Sequence, residues 1–152
     1  RAKRIASSGK KNRFMGTDFA FEDLRPENLA AHTYALVRTE PIDGQPCWVI
    51  EAVAATAKQA ADSGYSKRKL WVRQDNHYTV KREYYDRRDR LEKVQNDRKL
   101  KNVKASVWRA DEVEMHDVQA GTKTIVTIEK RELDKGLKAG MFTENELARA
   151  GS

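Results

Sequence analysis

The sequence predicts a mainly β protein, an antiparallel meander of about seven strands with a short C-terminal helix. Three observations carry this. Runs rich in β-branched and aromatic residues recur at hairpin spacing. The gaps between them hold Asp-Gly, Asn or Gly turn chemistry. Within the runs, apolar and polar residues alternate with the period of two that a half-buried strand requires.

Taken in order, Pro26 to Ala31 suits a single helical turn opened by proline. Thr33 to Glu40 and Pro46 to Val53 read as strands around Ile42-Asp43-Gly44-Gln45, where Asp-Gly accepts the positive φ of a tight hairpin. Ala54 to Gly64 is Ala-rich without large apolar residues and reads as a long, mobile hairpin loop. Lys67 to Asp75 and Tyr78 to Asp86 flank an Asp75-Asn76-His77 corner, with Asn76 the residue suited to the left-handed region. Arg87-Arg88-Asp89 turns the chain into a more polar strand, Arg90 to Asn96. Val107 to Asp117 and Thr122 to Arg131 flank Val118-Gln119-Ala120-Gly121. Thr143-Glu144-Asn145-Glu146 is a capping box that opens a terminal helix with Leu147 on its apolar side.

Alternation assigns faces. Leu70 and Val72 share one side of their strand, and Lys69, Trp71 and Arg73 share the other. Tyr78, Val80 and Tyr84 align, interrupted by Arg82. Cys47 to Ile50 and Ile125 to Ile128 are apolar on both sides, so each is expected to be covered twice or to lie beside a cavity.

A chain of 152 residues, 39% hydrophobic and 35% charged, is one domain's worth of material with enough apolar side chain to bury a core. No apolar run approaches the roughly 20 residues that cross a bilayer as a helix. Arg1 to Arg13 is cationic and leads into no hydrophobic segment, so it is not a secretory signal. The chain opens on Arg1 and not on Met, so it is expected to be either processed, with a leader removed, or a truncated piece of a longer chain. Cys47 is the single cysteine, which excludes an intramolecular disulfide and a two-thiolate zinc site. Its neighbours Trp48, Val49 and Ile50 make it a small buried residue and not a reactive thiol.

The net charge of +7 is unevenly spread. Residues 1–13 carry +6, 14–66 carry −5, 67–104 carry +8 and the remainder −2. Such a field attracts anionic partners without choosing among nucleic acid, lipid headgroups and polysaccharide. Catalytic chemistry is not found. His32, His77 and His116 are far apart in sequence and have no helical metal spacing. Asp111, Glu112, Glu114 and Asp117 lack the spacing of a calcium loop, and no nucleophile elbow, phosphate loop or dinucleotide fingerprint occurs. No catalytic residue, metal ligand or cofactor is therefore expected.

The basic block interleaves Lys67, Arg68, Lys69, Arg73, Lys81, Arg82, Arg87 and Arg88 with Trp71, Tyr84 and Tyr85. Basic and aromatic residues on a sheet could stack bases and neutralise phosphates. Alternatively, the cations coat a solvated face while the rings pack the core. Without an RNP-type motif, nucleic acid is not the expected partner.

Several segments in order resemble the outer-membrane lipoprotein-sorting family, the LolA-like periplasmic carriers. They are Arg4-Ile5 followed by Phe14-Met15-Gly16-Thr17-Asp18-Phe19-Ala20-Phe21-Glu22-Asp23-Leu24; Ile42 to Glu51; Tyr65-Ser66-Lys67 leading to Leu70-Trp71-Val72; Glu83-Tyr84-Tyr85-Asp86; Gly121 to Thr124; and Phe142-Thr143. The resemblance runs over nearly the whole chain and matches the later half to two-thirds of such a domain. It implies a curved, incompletely closed half-barrel. Residues 1–152 would form a single LolA-like domain lacking its N-terminal part, made with a signal peptide that is removed. The Phe14 to Leu24 motif would be structural, with Gly16 allowing a tight bend.

By this resemblance the protein is a non-catalytic periplasmic carrier binding a lipid or lipoprotein acyl chain in an apolar concavity. The residues expected to line it are Trp48, Ile50, Leu70, Val72, Tyr84, Trp108, Met115, Val126 and Ile128, each of which could equally be plain core. Lys67, Lys69, Arg73, Lys81, Arg82, Arg87 and Arg88 would then meet anionic headgroups or an acidic protein partner. Two other readings stand beside it: an envelope protein-interaction module (a stress sensor or transporter accessory), and a nucleic-acid-binding β protein. A missing first part would also leave a strand edge open to a homodimer.

Overall fold

Asp43 and Gly44 both take positive φ, 49° and 75°. That pair is what a two-residue hairpin of the primed type demands. They join β1 (His32–Ile42) to β2 (Gln45–Ala54), with Ile42 opposite Gln45. The same device, a left-handed residue at the corner, recurs along a chain that this computed structural model describes over residues 5–6 and 9–150. Residues 1–4 and 7–8 of the expected basic arm, Arg4 of the family-like segment among them, lie outside the described residues. β3 (Lys67–Arg73), β4 (Thr79–Tyr85), β5 (Leu91–Lys104), β6 (Val107–Asp117) and β7 (Thr122–Thr127) follow. All seven strands form one open sheet in chain order, each antiparallel to the next, so β1 and β7 are its edges.

Five expectations about local structure need correction. Ala54 to Gly64 is not a structureless loop but holds helix α1 (Ala57–Asp62). Thr56 caps it, its hydroxyl accepting from the Gln59 amide at 3.2 Å, which satisfies a donor the helix leaves open. At the β3–β4 corner His77, not Asn76, is left-handed (φ 57°); Asn76 instead accepts from the Tyr78 amide through its side chain. β5 runs on to Lys104, beyond the expected end at Asn96, and β7 stops at Thr127, before Arg131. The terminal helix α2 (Glu144–Ala150) forms with Thr143 accepting from the Glu146 amide, yet Leu147 remains 64% exposed and packs no core.

Strand register sorts side chains into two faces. On one, called the front, Tyr34–Ala52–Arg68–Tyr84–Lys93–Asp117–Thr122 form a row across all seven strands. The next front row is Leu36–Ile50–Leu70–Arg82–Gln95–Met115–Thr124. Trp48 and Val72 begin a third, which Asp97, Val113 and Val126 continue on β5 to β7. The back carries Val49–Trp71–Lys81–Asn96–Glu114–Ile125 and Glu51–Lys69–Glu83–Val94–His116–Lys123. Bulges at Leu36/Arg38, Trp71/Val72, Tyr84/Tyr85 and Asn102/Lys104 add local bend and twist to the strands.

The core is split to match. On the front, Phe19, Tyr65, Tyr84 and Met115 are buried together, with Phe14 and Val113 against them. A second cluster is built from Cys47, Val49, Trp71 and Val80, with Ile42, Tyr78 and Leu100 packed on it. Cys47 is fully buried, as its neighbours predict, and burial pushes its thiol above the ordinary pKa.

Candidate functional site

The front face is covered over only part of its width, and the cover is the Phe14 to Leu24 motif. Met15 and Gly16 take positive φ (49° and 76°), so the chain reverses sharply and Arg13 bridges back to Ala20. Phe14 and Phe21 meet edge to face at 5.5 Å, and Phe19 enters the front core. The motif is thus structural, a small hairpin laid over β4 to β7.

Polar anchors fix that hairpin. The Asp18 carboxylate accepts from Thr122 Oγ1 at 2.5 Å, Thr124 Oγ1 at 2.7 Å and Arg13 Nη1 at 3.1 Å. Arg13 also donates to Asp117 at 2.6 Å. Burial pushes the Asp18 pKa up, but the two threonine hydroxyls and the nearby Arg13 and Lys93 charges outweigh it and hold the carboxyl below the usual range. Behind it, Asp23 accepts from the Ala20 amide (2.7 Å) and Tyr65 Oη (2.8 Å), with Lys93 Nζ at 3.4 Å. Both side chains of this pair are buried, so each charge depends on the other. Burial first, and then the Asp23 charge, drives the Tyr65 phenol well above its ordinary pKa.

Toward β1 the face is open. Leu36 is 63% exposed and Tyr34 38%, while Trp48, Ile50 and Val72 are half-buried around a buried Leu70. Trp48 lies flat on His77 at 5.8 Å, which gives the open rows a rigid aromatic end. Leu36–Ile50–Leu70 with Trp48–Val72 is therefore an apolar strip across three strands. It ends at Arg82, whose guanidinium pairs with buried Asp97 at 3.3 Å.

The residues named from sequence for an apolar concavity divide as follows. Trp48, Ile50, Leu70, Val72, Tyr84, Met115 and Val126 all project from the front face. Of these, Tyr84 and Met115 lie buried beneath the hairpin. Trp108 faces the back, with the Arg73 guanidinium 6.0 Å from its ring centroid. Ile128 lies just past β7 and lines a cavity of about 320 Å³ with Lys101, Val103, Asp111, Arg131 and Leu133.

The residues named for an anionic partner are scattered. Lys67, Lys69, Arg73 and Lys81 are on the back face. Their partners are acids and rings of this same chain: Lys67 pairs with Asp89 at 2.9 Å, Arg73 with Asp75 at 2.5 Å and Lys81 with Glu83 at 2.8 Å. Lys67 and Lys69 lie over the Tyr85 ring, and Lys81 and Arg38 over Trp71. Arg82 is on the front, Arg87 donates to the Ala61 carbonyl, and Arg88 is exposed in the β4–β5 turn. Sequence reasoning did not single out Arg13, Asp18, Asp23, Lys93 or Leu36 as a set. The available signal was the acidic 14–66 segment beside the basic 67–104 block.

Among the described residues no group of three His, Cys, Asp or Glu could hold a metal ion, and no helix is long and apolar enough to cross a membrane.

Comparisons with known proteins agree with this architecture. A family model described as an uncharacterized protein matches residues 1–149. No curated protein matches the chain. A crystal structure described as an outer membrane lipoprotein-sorting protein domain from Vibrio parahaemolyticus superposes with a TM-score of 0.90 at 30% identity, covering 97% of this chain and 61% of its own. A DUF1329 family protein from Desulfovibrio piger follows at 0.84 and 27% identity, covering 95% and 59%. A LolA superfamily protein from Nitrosomonas europaea shares the fold at 0.70 and 23% identity, covering 91% and 60%. The fold is thus LolA-like, and the chain spans 59–61% of the length of these similar structures.

Proposed function

This chain belongs to that family of uncharacterized proteins, and we propose that it is part of a periplasmic, non-catalytic binding protein that holds an acyl chain of a lipid or lipoprotein on its front face. One observation carries the reading: Leu36, Ile50, Leu70, Trp48 and Val72 form contiguous rows on one face, half-buried or exposed around Leu70, beside a region already filled by the chain's own hairpin. A smooth apolar strip suits an acyl chain, since each buried methylene contributes about 0.8 kcal/mol without polar contacts. The likeness to a lipoprotein-sorting domain supports the same ligand class and the periplasm.

The three tryptophans make the test selective. Trp48 faces the front, while Trp71 and Trp108 face the back. A lipid carrying bromines on its acyl chain should quench Trp48 emission in a Trp71→Phe/Trp108→Phe protein and leave a Trp48→Phe protein nearly unchanged. Equal quenching of both proteins, or of neither, would remove the front strip as the binding face.

The free edges of β1 and β7 favour a second reading, an envelope protein partner or a second copy added at an edge. Light scattering at micromolar concentration tests the second copy, and a monomeric mass would reject it. The back face does not support a base-stacking role, because the Tyr85 and Trp71 rings already carry the chain's own cations.

A further inference from the structure

At the open end of the front face, Glu27 is held by a set of donors suited to any doubly oxygenated anion. Arg68 Nη1 donates to its Oε2 at 3.1 Å and Nη2 to its Oε1 at 2.9 Å, the two-pronged geometry that a guanidinium also offers to phosphate. Tyr34 Oη donates to Oε1 at 2.9 Å, and His32 Nδ1 lies 3.5 Å from the same oxygen. Arg68 is itself aimed by His32, whose Nε2 accepts from Nη2 at 2.8 Å. Side chains from β1 and β3 thus converge on one carboxylate: Arg68 and Tyr34 donate to it, and His32, whose Nδ1 also lies 3.4 Å from the Asn28 carbonyl, stands beside it.

That carboxylate is carried by a surface stretch. Residues 24–30 are exposed throughout, and Glu27 lies between Pro26 and Asn28 on this surface stretch. Beside it is a cavity of about 250 Å³, also lined by Lys10, Arg25, His32 and Arg68, with Glu22 and Asp62 as its other acids. Glu22 is already engaged with Ser63 Oγ and the Gly64 amide. Removing Glu27 from the cluster would leave Arg68 and His32, which line this space, and the Tyr34 hydroxyl without their shared carboxylate.

We propose that Arg68, Tyr34 and His32 form a binding site for a phosphate oxyanion, and that Glu27 occupies it in the ligand-free protein as a displaceable internal anion. The row Tyr34–Ala52–Arg68 adjoins the apolar row Leu36–Ile50–Leu70 on the same face. Alternate residues of a strand are about 7 Å apart. A phosphate at Arg68 therefore sits one row from the apolar strip, where the headgroup of a lipid lying along that strip would fall. The anion site stands without the acyl-chain reading; only its assignment to a headgroup rests on it.

Calorimetric titration of inorganic phosphate at pH 7 into wild type, Glu27→Gln and Glu27→Gln/Arg68→Lys provides the test. Glu27→Gln removes the competing charge and should bind phosphate at least tenfold more tightly than wild type. Adding Arg68→Lys, which keeps the charge and loses the fork, should return affinity to the wild-type level. Glu27→Asp, charged but one methylene shorter, should fall between and carries the test should Glu27→Gln fail to fold. No gain in either Glu27 variant, or a gain that survives Arg68→Lys, overturns the proposal and leaves Glu27–Arg68 as a structural tie. A dihexanoyl phosphatidylglycerol below its micelle concentration distinguishes the source. Binding tighter than phosphate, and lost on Ile50→Asp, identifies a headgroup; binding equal to phosphate identifies a free phosphate. If Glu27→Gln with Ile50 intact binds phosphate but no dihexanoyl phosphatidylglycerol, the acyl-chain reading alone is rejected.

Discussion

Replacing Asp18 by Ala should detach the hairpin that covers β4 to β7. The carboxylate is 5% exposed and accepts from Thr122, Thr124 and Arg13. Hydrogen bonds to a charged group each contribute about 1.5–3 kcal/mol net. Arg13 is 46% exposed, so solvent leaves its share at about 0–1 kcal/mol. Part of the threonine contribution returns as the freed hydroxyls meet water, and a loss of about 3 kcal/mol is expected. Urea unfolding at pH 7 measures the total, and amide exchange over residues 13–24 shows whether the hairpin opens alone. The pH dependence has a defined sign. The folded pKa is depressed below its usual 3.8, so the stabilisation is present above that value and is lost as pH falls through the folded one. A loss under about 1 kcal/mol, with exchange over 13–24 unchanged, would refute the reasoning.

Lys93→Met should cost about 3–5 kcal/mol, because it strands the Asp23 carboxylate without its buried countercharge; denaturant unfolding measures it, and Lys93→Met/Asp23→Asn should recover a large part. Absorbance titration of the phenols should show no native tyrosine ionising at pH 10: Tyr34, Tyr78 and Tyr85 are each pushed up to about 12, chiefly by burial, and Tyr65 and Tyr84 higher still. Since unfolded tyrosines ionise near pH 10, these five groups favour the folded state below that pH and lose this contribution as pH rises through the folded values. Gly44→Ala should cost about 1–2 kcal/mol in the same unfolding assay, through φ of +75° alone, as no atom lies within 4 Å of the added methyl.

The strands were legible because period and turn chemistry are local signals. Asp43-Gly44 specifies its hairpin within two residues, and alternation kept Trp48, Ile50, Leu70, Val72, Tyr84 and Met115 on one face because register preserves parity. Trp108 was grouped with the front residues against that parity: on β6 Val113, Met115 and Asp117 face the front, so the even-numbered Trp108 faces the back, where it meets Arg73. Helix α1 escaped because Ala57 to Asp62 carries no apolar stripe; its one readable mark was Thr56 with Gln59 three residues on. The anchors of the hairpin were illegible for a different reason. Arg13–Asp117 and Asp18–Thr124 join residues 104 and 106 apart, and no local pattern encodes a contact at that distance.

That separation also orders events during synthesis. Every strand pairs with its sequence neighbour, so each hairpin can zip as soon as its second strand emerges, which is the low-contact-order route to a sheet. The Phe14 to Leu24 hairpin precedes all seven strands, yet Thr122 and Thr124, on which it docks, belong to β7, the last of them. Until β7 is made, Phe19, Tyr84 and Met115 lack one another, and the nascent chain carries an uncovered apolar front. The interval between making the cover and having somewhere to place it is when this protein is most open to a chaperone.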